Sequence, residues 1–307
     1  MVPAYLSLPP DDLRRRAMDA RDVLKSCTLC PRRCGVDRLA GELGQCRTGV
    51  LPFVSSYGAH FGEEAPLVGL HGSGTVFFGN CNLNCVYCQN YSISQLSEGT
   101  EVSVDALVAM MLALQGMGCH NINLVSPTHQ VAAIVMALPQ AVKGGLSIPI
   151  VYNCGGYEAI DTLAFLDGIV DIYMPDLKYS DHVMGLKYSN VDLYPQVAQA
   201  AIRQMHRQVG DLVTDDNGVA LRGLIIRHLV LPNDIAGSHD SLRFIAQEIS
   251  TNTYTNIMDQ YHPCFKAIEH KQLNRRITAN EYNAVVQYAR SLGLTRLDKE
   301  ELRGRWL

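Results

Sequence analysis

The chain has 307 residues, 47% of them hydrophobic, and a formal net charge of −4. That is enough apolar material for one large core, and without a basic field there is no drive towards nucleic acid. No apolar run approaches the ~18 residues of a membrane helix, and ten cysteines without a basic-then-apolar leader point to metal or redox use in a reducing cytoplasm. Residues 1–25 predict a docking helix, with Asp11-Asp12 at its start and Leu13, Ala17, Ala20 and Leu24 along one face. Arg14-Arg15-Arg16 and Arg32-Arg33 read as local, solvated faces.

Cys27, Cys30, Cys34 and Cys46 follow, spaced Cys-x2-Cys-x3-Cys-x11-Cys and separated by glycines. Four thiolates so placed suit one tetrahedral zinc or one auxiliary iron–sulphur cluster, and the spacing does not choose between them. An element with so little core of its own can depend on its metal for folding. Segment 57–67 carries His60, Glu63 and Glu64 and reads as a turn whose carboxylates cap or pair locally.

After the apolar run 75–78 come Cys81, Cys85 and Cys88, spaced Cys-x3-Cys-x2-Cys on the loop leaving a predicted strand. Soft thiolates select zinc, copper(I) and iron–sulphur clusters. Zinc wants a fourth ligand, and no His or Cys follows within the next thirty residues. A cubane with three protein thiolates keeps one iron open to a small chelator.

Strands are predicted at 76–78, 121–125, 148–152, 170–174, 224–231 and 255–259. Helical patterns lie between them, one capped by Ser103 and others over 161–166, 192–209 and 240–250. Alternating strand and helix implies a parallel sheet with right-handed crossovers. The fold class is therefore α/β, a partial (β/α)6 TIM-type barrel with an N-terminal cysteine-rich metal-binding extension and a C-terminal helix. The expected division is 1–70 for the helix and four-cysteine element, 71–265 for the barrel and 266–307 for a helical cap. Thr278 and Glu281 form a capping box that opens the last helix, and Gly293 can end it.

Chemistry in such a barrel belongs at the carboxyl ends of the strands. Those ends carry Ser126-Pro127-Thr128-His129, Asn153-Cys154-Gly155-Gly156-Tyr157-Glu158, Asp176-Leu177-Lys178 and Arg227-His228. Cys154 and Cys264 also lie at strand ends and read foremost as small buried cysteines.

These motifs together resemble the radical SAM superfamily, and within it an uncharacterised branch related to pyruvate formate-lyase activating enzyme. The resemblance implies that Cys81, Cys85 and Cys88 hold a [4Fe–4S] cluster whose open iron is chelated by S-adenosyl-L-methionine (SAM). It places Tyr87 near the adenine, and Asn153, Asp176, Lys178 and Arg227 around the ribose, methionyl group or active site. The Gly-Gly-Glu-Pro-like phrase after the second strand is replaced here by Ser126–His129, so Ser126 and Thr128 stand in for its acid. The implied activity is reductive cleavage of SAM to a 5′-deoxyadenosyl radical that abstracts hydrogen, as a radical SAM oxidoreductase. The targets it implies are a glycyl-radical enzyme to be activated or a protein or peptide to be modified. Rearrangement of a small metabolite and a non-catalytic iron–sulphur electron-transfer role are the alternatives. A ferredoxin or flavodoxin is the implied reductant, the location cytoplasmic, with no nucleic acid and no membrane.

Overall fold

The computed structural model describes residues 1–298; the end of the expected C-terminal cap, 299–307, lies outside the described residues. The helices are α1 (Pro10–Asp22), α2 (Ala65–Val68), α3 (Tyr91–Ser94), α4 (Val104–Gly116), α5 (Val131–Lys143), α6 (Ile160–Leu166), α7 (His182–Ser189), α8 (Tyr194–Val209), α9 (Ser238–Phe244) and α10 (Ala279–Ser291). The strands are β1 (Phe53–His60), β2 (Ser73–Phe78), β3 (Thr100–Glu101), β4 (Ile122–Val125), β5 (Ile150–Cys154), β6 (Ile172–Pro175), β7 (Val213–Thr214), β8 (Ala220–Leu229) and β9 (Tyr254–Met258).

One sheet runs β3-β1-β2-β4-β5-β6-β8-β7, with β9 also on β8. The consecutive pairs among β2, β4, β5, β6, β8 and β9 are all parallel. These are the six expected strands, so the partial barrel holds. Its parallel strands are apolar because both faces are covered. Ile122, Leu124, Ile150, Tyr152, Tyr173, Leu224 and Ile226 turn outward onto the helical layer. The alternate residues Val151, Ile172, Met174 and Ile225 fill the interior with Leu67 of α2.

Segment 57–67 departs from expectation. Its first part belongs to β1, which pairs antiparallel with β2 and extends the sheet. Glu64 is buried and accepts from Asn256 Nδ2 at 2.8 Å, far along the chain rather than locally. Glu63 does pair locally, with His60 Nδ1 at 3.3 Å.

Local signals explain the helix starts. The Ser103 side chain accepts from Ala106 N at 3.1 Å to cap α4, and the Thr278/Glu281 capping box opens α10. At the N-terminus, α1 buries Leu13 and Ala20, with Leu24 just beyond it. Arg16 of α1 donates to Phe165 O at 3.3 Å, fastening it to the end of α6.

Candidate active site

The three-cysteine loop leaves the carboxyl end of β2 through Gly79, where a Cβ would lie 2.4 Å from the Phe53 ring, so a side chain is excluded. Asn80 turns the chain at a φ of 67°. Asn84 N and Val86 N then donate to Ser189 O and Tyr188 O, docking the loop on the end of α7.

Each sulphur has a polar neighbour. Leu83 N donates to Cys81 Sγ at 3.4 Å. Cys85 Sγ lies 3.0 Å from Ser189 Oγ, and Cys88 Sγ 3.1 Å from Ser94 Oγ. Such partners orient and tune thiolate ligands. Burial pushes the Cys81 thiol up to about 12, and it raises Cys85 and Cys88 as well, while the Lys178 ammonium lowers all three. The Lys178 ammonium thus favours the thiolate form of all three. Among the described residues no three His, Cys, Asp or Glu close around a single ion. A cubane does not ask for that, because each thiolate meets a different iron. The donor set, three cysteines on one loop with their own N–H and O–H partners, fits that cluster.

Behind Lys178 lies a chain of charges. Lys178 Nζ donates to Asp176 Oδ2 at 2.5 Å. Arg227 Nε donates to Asp176 Oδ1 at 2.7 Å, and Arg227 Nη2 to Asn153 Oδ1 at 2.7 Å. Burial alone would raise the Asp176 carboxyl, but Arg227 and Lys178 outweigh it and hold it below the usual range. The reciprocal pull of Asp176 raises both cations against their own burial. Side-chain exposures of 14–18% leave these charges largely buried near the carboxyl ends of β6 and β8. The structure thus brings Asn153, Asp176, Lys178 and Arg227 together beside the cysteine loop.

The remaining residues behave differently. Tyr87 packs its ring edge-on against Tyr179 at 6.4 Å and Tyr261 at 6.0 Å. Ser126 adopts a φ of 58° and donates its N–H to Asn153 O at 2.9 Å, beside the charge chain. The Thr128 hydroxyl donates to Glu158 Oε1 at 2.6 Å. The other Glu158 oxygen accepts from Tyr152 OH at 2.9 Å. Tyr152 lies on the outward face of β5, so Thr128 is engaged behind the sheet. Burial, offset in part by these hydrogen bonds and one from Cys154, pushes Glu158 up to about 7. Sequence reasoning gave Glu158 no role; its only signal was its place four residues past the end of β5.

The four N-terminal cysteines line one small cavity together with Arg38 and His129. Cys27, Cys30 and Cys46 are buried and Cys34 is exposed. Gly44 packs closely here, since a Cβ would sit 3.0 Å from Cys34 Sγ. Burial pushes the Cys30 thiol up to about 12. Arg33 does form an exposed pair with Asp161. Arg32, expected on a solvated face, instead donates to Asn82 O at 2.6 Å and Asn190 O at 2.8 Å.

Comparison with known proteins bears on the barrel and its family. The sequence profile described as the Radical SAM superfamily matches residues 75–227, the span from β2 through Arg227. An uncharacterized protein of Methanocaldococcus jannaschii is 31% identical over 294 residues, covering 93% of this chain and 80% of that protein. The crystal structure of a radical SAM methyltransferase from Sphaerobacter thermophilus superposes with a TM-score of 0.51 at 14% identity, covering 74% of this chain and 67% of that one. At that identity the likeness speaks for the fold alone. With six parallel strands, the three-cysteine loop on the first of them and the matching profile, the chain belongs to the radical SAM superfamily.

Proposed function

We propose that this chain is an activating-type radical SAM oxidoreductase whose hydrogen donor is a protein or peptide, with a second thiolate-bound metal centre at Cys27, Cys30, Cys34 and Cys46. The observation that carries the reading is the cysteine loop facing the Lys178–Asp176–Arg227–Asn153 chain at the barrel mouth. When bound, the [4Fe–4S] cluster and SAM supply reductive cleavage of the sulphonium and hydrogen abstraction. Cys81, Cys85 and Cys88 would hold the cluster. Arg227 and Lys178 offer donors suited to a carboxylate, and Asp176 an acceptor suited to an amine, the two ends of a methionyl group. The interior of apolar Val151, Ile172, Met174 and Ile225 excludes water from below.

Support for a macromolecular substrate comes from the resemblance and from the rim of the loop. There Tyr91 stacks on Phe265 at 5.1 Å, with Gln89 and His262 in contact beside them. A partly exposed rim of aromatic and polar side chains suits a peptide. We place the protein in the cytoplasm, with a ferredoxin or flavodoxin as reductant.

The test uses reconstituted protein, dithionite, SAM and deuterated host extract split into protein and small-molecule fractions. Deuterium entering 5′-deoxyadenosine from the protein fraction is the expected result. Label arriving only from the small-molecule fraction overturns the substrate class. Absence of 5′-deoxyadenosine above a Cys81→Ala control overturns the activity itself.

A further inference from the structure

The four-cysteine element does not simply sit beside the barrel. It holds the cysteine loop at several points. Arg32, two residues after Cys30, donates to Asn82 O beside Cys81. Arg47, next to Cys46, donates to Gln95 O at 2.8 Å and Ser94 O at 3.0 Å. The Ser94 hydroxyl is the one that meets Cys88 Sγ. In return, Asn80 Nδ2 donates to Arg47 O at 3.3 Å. Arg38 Nη1 donates to His129 O at 3.0 Å, and the His129 ring donates to Gly79 O at 2.9 Å, where the loop begins.

Arg38 has a second property. Its side chain is buried, with 3% exposure. It reaches Gly49 O, His129 O and, at 3.9 Å, Cys27 Sγ. No ion pair joins it to a carboxylate among the described residues. A buried cation without a counter-charge is strongly disfavoured. The groups positioned to supply that charge are the thiolates around the same cavity, and thiols carry it when they ligate a metal.

We infer that Arg38 is the counter-charge of an anionic metal–thiolate centre at Cys27, Cys30, Cys34 and Cys46, and that Arg32 and Arg47 are positioning residues transmitting its loading to the Gly79–Asn90 loop. This rests on the reading that those four cysteines hold a metal. Loading fixes the backbone around Cys30 and Cys46, and that sets the two arginines on the carbonyls of Asn82, Ser94 and Gln95. Without the metal the arginines lose their anchor, and the loop that carries Cys81, Cys85 and Cys88 loosens.

Three arms test it. In a chain with Cys81, Cys85 and Cys88 all changed to Ala, metal analysis isolates the N-terminal centre. Bound iron that disappears with Cys46→Ser is expected; no iron there overturns the underlying reading. In the same background, Arg38→Met is expected to speed metal loss to a chelator by roughly tenfold or more, as removal of outer-shell partners does. Loss at the parent rate overturns Arg38 as the counter-charge. In the full chain, Arg32→Met and Arg47→Met are expected to keep the N-terminal metal. They should nevertheless release iron from the three-cysteine loop roughly tenfold faster and alter its electron paramagnetic resonance (EPR) spectrum. The lysine variants are expected to fall between, and they provide the measurement if a methionine variant is insoluble. Parent rates with a parent spectrum overturn the coupling while the second centre stands.

Discussion

The two cysteine regions are built on opposite plans. The three-cysteine loop hangs from a β-strand, and its sulphurs meet a backbone N–H and two serine hydroxyls. Lys178 faces it, already paired with a carboxylate. The four-cysteine element has little regular structure beyond short 3-10 turns, and its buried arginine reaches only carbonyls and a sulphur. The first plan leaves an approach for a ligand that brings its own charges. The second gathers its thiolates in a small cavity, with Cys27, Cys30 and Cys46 buried and Cys34 exposed. The two differ in placement: one cysteine set leaves the end of a strand, and the other lies before the sheet begins.

The largest effect that sharpens this contrast is on the charge chain. Asp176→Asn leaves Arg227 and Lys178 together without their shared carboxylate. The expected loss is about 3–5 kcal/mol of folding stability, the usual consequence of breaking a buried pair, read from urea unfolding. A loss below 1 kcal/mol would mean that the chain of charges is not organised around Asp176.

Next is pH. The Glu158 carboxyl moves from its ordinary 4.5 up to about 7 in the folded chain. Between these values the folded state keeps a proton that the unfolded state has released. The stabilisation is therefore complete below 4.5 and is lost as pH rises through 7. The shift corresponds to roughly 3 kcal/mol. Glu158→Gln should flatten the fall of Tm between pH 5 and 7.5; an unaltered slope would remove Glu158 as its source.

The smallest effect lies away from both cysteine regions. Thr278→Ala removes the α10 cap and should cost about 1 kcal/mol, with no change in the iron content of the reconstituted chain. A change in iron would mean that the C-terminal helix also supports a cluster.

Much of the barrel was legible because strands buried on both faces read as apolar runs, as 122–125 and 150–152 do. β1 was not, since its Ser55-Ser56 and Gly58 interrupt the pattern and most of its residues keep some exposure. β3 and β7 are two residues each, too short for any periodicity. In the site, spacing marked both cysteine sets, because ligand spacing is local. Arg32 and Arg38 were hidden because their partners, Asn82 and His129, lie 50 and 91 residues away. Glu158 was hidden because Thr128 meets it only once β4 and β5 are side by side.

The most direct measurement is the EPR spectrum of the reduced, reconstituted chain before and after addition of SAM. A [4Fe–4S] signal that changes on SAM binding and is absent from a Cys81→Ala chain is expected. A spectrum indifferent to SAM, or one that survives Cys81→Ala unchanged, would contradict that expectation.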